Sequence, residues 1–196
     1  MTKNIKILGI VLMLLSIVSC GISEVYNPKP KGFNRLDLPR HEYQVMKEQH
    51  PYSFEYSKHA ILEKDEHALA EPHWVIVYYP ELDARIQFTY KPLNGDLNKL
   101  SKHIDDAYKL AGKHQVKADS QTESIITLNN GKKAVIIEIE GEVPSHFQFY
   151  MTDTSSHYLR AASYINAATL NDSLRPLVDF LKEDCMHILQ TLTWKK

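Results

Sequence analysis

Two aromatic and apolar runs split by four polar residues constrain this chain more than any other feature. They lie within Ser145–Asn166, read SHFQFYMTDTSSHYLRAASYIN. His146–Thr152 and His157–Ile165 have strand chemistry and Asp153–Ser156 has turn chemistry, so the stretch predicts a β-hairpin. In the first run Phe147, Phe149 and Met151 share one face, with His146, Gln148 and Tyr150 on the other. In the second, Tyr158, Arg160, Ala162 and Tyr164 alternate with Leu159, Ala161, Ser163 and Ile165. A hairpin this apolar is marginal alone in water. It needs a sheet beside it and a helix over it.

The rest of the chain predicts both. Tyr52–Tyr56 and His59–Lys64 read as a first short strand pair, and the apolar run Trp74–Tyr79 as a central strand. Ala84–Lys91 places Ala84, Ile86, Phe88 and Tyr90 on one face and Arg85, Gln87, Thr89 and Lys91 on a wet one. Asp96 then caps a helix to about Ala111 through the stripe Leu97, Leu100, Ile104, Ala107 or Tyr108, and Ala111, with Gly112 as its left-handed C-terminal cap. Ser124–Leu128 and Lys133–Glu140 form a hairpin about Asn129-Asn130-Gly131. A last helix starts at Asp172 or Ser173, tolerates Pro176 in its first turn, and carries an apolar stripe. That stripe is Leu174, Leu177, Val178, Leu181, Cys185, Ile188 and Leu189. The fold class is α+β: a mostly antiparallel sheet covered by two main helices, in one domain over residues 44–196.

The N-terminus carries the strongest functional motif. Lys3 and Lys6 precede the apolar run Ile7–Val18, which is short for a bilayer span and ends in Ile17-Val18-Ser19-Cys20. This is a bacterial lipobox. Residues 1–19 are the expected lipoprotein signal peptide, and Cys20 is the expected attachment point of a diacylglycerol and the acylated new N-terminus. Residues 20–43 then form a tether and an extended arm, with Pro28, Pro30 and Pro39 opposing helix. Phe33, Leu36, Leu38 and Tyr43 are expected to lie on the domain. With Lys3 and Lys6 gone, acids outnumber Lys and Arg by three and no basic stripe exists, so nucleic acid is not an expected partner. Cys185 is the only other cysteine and reads as a buried, inert thiol.

Catalytic and metal constellations are thin. Ten histidines, among them His41, His50, His59, His67 and His73, show no metal-ligand spacing and no cysteine pair beside them. Asp153, Ser155 or Ser156 and His157 match a hydrolase triad in residue type alone; turn hydrogen bonding explains them better. Arg160 requires a carboxylate such as Asp153 or Glu138 if its face is buried, and is a candidate partner anchor if exposed. Lys29, Lys31 and Arg35 are the other candidate partner-binding residues. No P-loop, dinucleotide fingerprint or CxxC is present, so no cofactor is expected beyond the lipid on Cys20.

The block QFYMTD-x-x-x-HYLRA, with Pro28-Lys29-Pro30-Lys31-Gly32-Phe33, Arg35, Leu36-Asp37-Leu38-Pro39 and Tyr43, resembles the GldD family of Bacteroidetes gliding-motility lipoproteins. Phe54-Glu55-Tyr56, Lys117-Ala118-Asp119 and the span from Asp172-Ser173-Leu174 to Thr193-Trp194-Lys195 fit as well. The resemblance implies a membrane-anchored, non-enzymatic component or adaptor for gliding and type IX secretion, with envelope machinery as partners. Only Cys20 receives a role from it. The order of elements is similar to PsbP-like domains, which concerns fold alone. Gly21-Ile22-Ser23-Glu24 lacks the acidic run of surface-directed lipoproteins, so a periplasm-facing anchor is expected. Two rivals are a periplasmic binding module for a lipid or small ligand, marked by a sizeable apolar pocket, and a hydrolase using Ser156 and His157.

Overall fold

The computed structural model describes residues 36–113, 117–166 and 174–195, all within one compact unit, Gly32–Lys196. In chain order the strands are β1 (Tyr43–Val45), β2 (Tyr52–Ser53), β3 (Glu55–Ser57), β4 (Ile61–Lys64), β5 (Val75–Tyr79) and β6 (Ala84–Pro92). Helix α1 (Leu97–Gly112) follows, then β7 (Ala118–Thr127), β8 (Lys133–Gly141), β9 (Phe147–Thr152) and β10 (His157–Ile165). Helix α2 (Arg175–Thr191) and β11 (Thr193–Trp194) close the chain. Seven strands make one antiparallel sheet in the order β4-β5-β6-β10-β9-β8-β7, and two small ribbons pair β1 with β3 and β11 with β2.

The predicted hairpin is β9–β10, and β10 is the middle strand of the seven. Both faces of these strands are covered, which is why they read as near-continuous apolar runs. Phe147, Phe149, Met151, Leu159, Ala161 and Ile165 join the core under α2, with Leu177, Leu181, Ile188 and Leu189. Tyr150 and Tyr158 face the other way and pack with Ala107, Leu100 and Ile104 of α1. Each fully buried aromatic or branched side chain contributes roughly 1.5–3 kcal/mol. Two helices on opposite faces therefore follow from the hairpin's composition.

Local signals place the turns. Asp96 accepts from the amides of Asn98 and Lys99, the expected N-cap of α1. Gly112, however, is the last helical residue and not a left-handed cap; Lys113 ends the helix in right-handed geometry. Gly131 has φ +78° and its amide bonds the Leu128 carbonyl at 2.9 Å, closing the β7–β8 hairpin. Gly141 (φ +119°) leaves room where a Cβ would collide with the backbone of residues 117–119, at the shifted start of β7.

The first strand pair forms differently from expectation. Tyr52–Tyr56 does not pair with His59–Lys64: β2 joins β11, β3 joins β1, and β4 joins the edge of the large sheet beside β5. Tyr52, Phe54 and Tyr56 bury their rings in the α2 core, and tertiary burial overrides the local pairing, although only β2–β11 joins residues far apart in sequence. The start caps expected for α2, Asp172 and Ser173, lie outside the described residues; within them the helix opens at Leu174 with Pro176 in its first turn.

Ala161 sits in register between Phe88 of β6 and Phe149 of β9, whose rings meet edge to face at 6.3 Å. The methyl leaves the space those rings fill. Ala161→Leu is expected to overpack the centre and cost about 1–3 kcal/mol, read as a lower urea midpoint. Adding Phe88→Leu should recover part of that loss.

Candidate functional site

The arm that leads from the N-terminus is fastened to the domain by a buried carboxylate. Leu177, Leu181 and Ile188 run down the inner face of α2, and Asp184 takes the position in that stripe where another aliphatic residue is expected. It is fully buried. Its Oδ2 accepts from the Tyr79 hydroxyl of β5 at 2.6 Å, and its Oδ1 accepts from the Tyr43 hydroxyl at 3.0 Å. His41 Nδ1 lies 2.7 Å from the same Oδ1, and His41 Nε2 lies 3.2 Å from Glu183 Oε2. Burial and the Asp184 charge push the Tyr43 and Tyr79 hydroxyls well above the ordinary phenol range, so both remain donors.

Ring contacts complete the clamp. His41 stacks on Phe180 with centroids 4.5 Å apart, and Tyr43 stacks on His187 at 3.4 Å with planes 4° apart. His187 Nε2 in turn lies 2.9 Å from Glu55 Oε2. Leu36 and Leu38 pack on the core and β1 pairs with β3, so residues 36–45 are held along their length. The expectation of an arm lying on the domain is met at Leu36, Leu38 and Tyr43; Phe33 lies outside the described residues. Asp184 and His41 were not singled out from sequence as a pair. The one available signal was an acid interrupting an apolar helical stripe.

A second polar assembly sits at the tip of the β9–β10 hairpin. Asp153 Oδ1 accepts from the amides of Ser155, Ser156 and His157 at 3.0, 2.7 and 2.8 Å. Burial favours the neutral acid, but these amides hold its carboxyl below the ordinary range. Ser155 and Ser156 are exposed, and their carbonyls bond Gly95 and Leu93. His157 Nδ1 meets the Tyr90 hydroxyl at 2.9 Å, and its ring stacks on Trp194. These residues form a turn and not a nucleophile relay. Nearby, His50 and His73 face each other with Nδ1 atoms 3.2 Å apart, His73 holding a left-handed backbone at φ 70°. Burial and His73 lower the His50 pKa. Among the described residues no three His, Cys, Asp or Glu side chains converge to hold a metal ion.

Arg160 lies inside the sheet. It is 8% exposed and its Nη2 donates to Gln148 Oε1 at 2.5 Å. Neither expected carboxylate reaches it: Asp153 is taken by the turn amides and Glu138 by Lys182 at 2.5 Å. Its burial suits a structural cation and not a surface anchor. The bond fixes the Gln148 amide and leaves its buried Nε2 without a partner, at a cost of about 1–3 kcal/mol. Cys185 is buried, and burial with the neighbouring Asp184 drives its thiol pKa far up, so it is inert. A cleft of about 250 Å³ opens among Glu63, Ile76, Tyr78, Asp83, Arg85 and Asn166. It is smaller and more polar than a pocket for a drug-sized or lipid ligand. Cys20, Lys29, Lys31 and Arg35 lie outside the described residues. No described helix is long and apolar enough to cross a membrane.

A family model described as gliding motility lipoprotein GldD matches residues 23–194. No curated protein matches the sequence. Among solved structures, the solution structure of cyanobacterial PsbP (CyanoP) from Synechocystis sp. PCC 6803 aligns with 13% identity and a TM-score of 0.41. The alignment covers 82% of this chain and 97% of that one. At that score the likeness carries no functional weight.

Replacing Asp184 by Ala strands three donors, one of them the deeply buried Tyr79 hydroxyl. The expected loss is roughly 3 kcal/mol, with Asp184→Asn milder, read from denaturant midpoints. Trypsin should also cut faster at Arg40 and Lys47 in the Ala variant. Unchanged cleavage would show that β1–β3 pairing alone holds the arm.

The His50–His73 contact predicts a pH effect of definite sign. Folding holds His50 neutral, so the unfolded chain takes up a proton more readily. The pair's contribution is full above the ordinary value of 6.5 and is lost as pH falls through the lowered folded-state value. Glu48 opposes this shift and Lys195 adds to it. His50→Gln should flatten the acid limb of stability below pH 6.5, measured by urea titration.

Proposed function

We propose that this chain, which belongs to the gliding motility lipoprotein GldD family, is a non-enzymatic, lipid-anchored adaptor of the gliding apparatus and of linked type IX protein secretion. The family match supports the motility role and the placement in the cell envelope. The adaptor reading rests on the arm clamp. Attachment at Cys20 confines the domain to a membrane plane, and 15 residues lie between Cys20 and Leu36, the first described position on the core. Even fully extended, that tether spans at most roughly 55 Å. The clamp then sets which face of the domain the tether leaves, so the anchor limits both distance and orientation. Such confinement raises the effective concentration of the domain at membrane-bound partners.

The domain faces the periplasm in this reading, and it works without a cofactor beyond the covalent lipid. Its partners are envelope proteins of the gliding and secretion machinery, and nucleic acid has no part. The Asp, Ser and His of the hairpin tip are spent on turn hydrogen bonds and ring stacking and not on a nucleophile relay.

The test is a clean deletion complemented with wild type or Cys20→Ala, scoring colony spreading and the secreted proteome together. Wild type should restore both, and Cys20→Ala should restore neither while still producing folded protein. Unaltered spreading and secretion in the deletion strain would remove this function.

A further inference from the structure

We infer that the free edge of β7 is a docking edge for an extended, lysine- or arginine-bearing segment of another envelope protein. The inference deepens the adaptor reading above and rests on it. β7 ends the strand order of the large sheet, and among the described strands it pairs with β8 alone. It is ten residues long, and every position from Asp119 to Ile125 is exposed. A strand in that position presents a row of outward N–H and C=O groups, which is the template used in β-strand addition.

The opposite edge shows how this fold protects a strand. β4 has four residues, of which Lys64 is one. β7 has no Pro, Lys or Arg along its ten residues, and its one register shift lies at Ala118/Ser120, leaving Ser120–Thr127 in unbroken pairing. Apart from the acids Asp119 and Glu123, nothing in its sequence blunts the outward side.

Charge identifies the occupant. β7 carries Asp119 and Glu123 and no base, and Glu138 and Glu140 lie on the neighbouring β8. Lys182 neutralises Glu138, and the Ser120 hydroxyl donates to Glu140 at 3.1 Å. Tyr108 of α1 donates to Glu123 at 2.5 Å, which holds that carboxylate beside the edge. Gln121, Glu123 and Ile125 share the face that pairs with Ile139, Ile137 and Val135, and Ile125 is 69% exposed. An added strand therefore gains most with Lys or Arg across from Glu123 and an apolar residue across from Ile125. The β7 of a second copy brings the same acids and no base, so β7-to-β7 pairing lacks this complementarity.

The test uses the lipidated mature protein in detergent and a synthetic ten-residue peptide alternating lysine with threonine and valine. A control peptide carries glutamate for lysine. Hydrogen–deuterium exchange should slow across residues 118–127 with the lysine peptide and not with the glutamate one. Asp119→Lys, and separately Glu123→Lys, should weaken lysine-peptide binding about tenfold, and added salt should weaken it in wild type. The double reversal should instead take up the glutamate peptide. Absence of slowing at β7, slowing spread over other acidic surface, or a concentration-dependent dimer protecting β7 without peptide would each overturn the inference. Failure here with a clear Cys20-dependent phenotype in cells would leave the adaptor role standing. Loss of that phenotype would remove the role whatever the peptide does.

Discussion

Burial of one hairpin on both its faces is the constraint on which the rest of the molecule depends. β9 and β10 carry large apolar side chains to either side, so a sheet with one wet face was never open to them. One helix must come from the middle of the chain and one from its end, and the seven strands take their order around β10. Ala161 shows how closely the centre is filled: a methyl stands where Phe88 and Phe149 approach from the flanking strands. Packing at native density leaves little slack for change there.

The second organising contact is polar and joins parts of the chain with no local reason to meet. Asp184 gathers Tyr79, Tyr43 and His41 onto one carboxylate, which ties helix, sheet and arm together. A buried carboxylate is costly unless its lone pairs are used, and here three donors use them. The same contact that stabilises the fold also fixes residues 41–43 of the arm on the domain. Under the proposed adaptor role, stability and function would be linked through that carboxylate, because a domain on a loose arm loses its orientation. Arg160 with Gln148 is the counterpart on the other face: a buried cation satisfied by an amide, serving the sheet alone.

Much of the fold was legible because its signals are local. Alternation in Ala84–Lys91 gave the buried and wet faces of β6, Asp96 marked the start of α1, and Asn129-Asn130-Gly131 marked the β7–β8 turn. The failures share one cause. Tyr52–Tyr56 and His59–Lys64 looked like neighbours in a hairpin, yet β2 pairs with the distant β11, β3 with β1 and β4 with β5. Gly112 read as a cap from its position alone, while it is the last residue of the helix and Lys113 caps it. Arg160 invited a search among carboxylates, and the diagonal neighbour on β9 turned out to be an amide.

The sequence by itself determined the α+β class, the central hairpin and the family, because each is written in adjacent or periodically spaced residues. Only the tertiary structure decided the clamp, the fate of Arg160 and the open edge at β7. Asp184 meets its partners across 105, 141 and 143 residues. Side-chain period and turn chemistry act over a few residues, whereas a buried carboxylate is defined by whatever the folded chain brings within hydrogen-bonding distance of it.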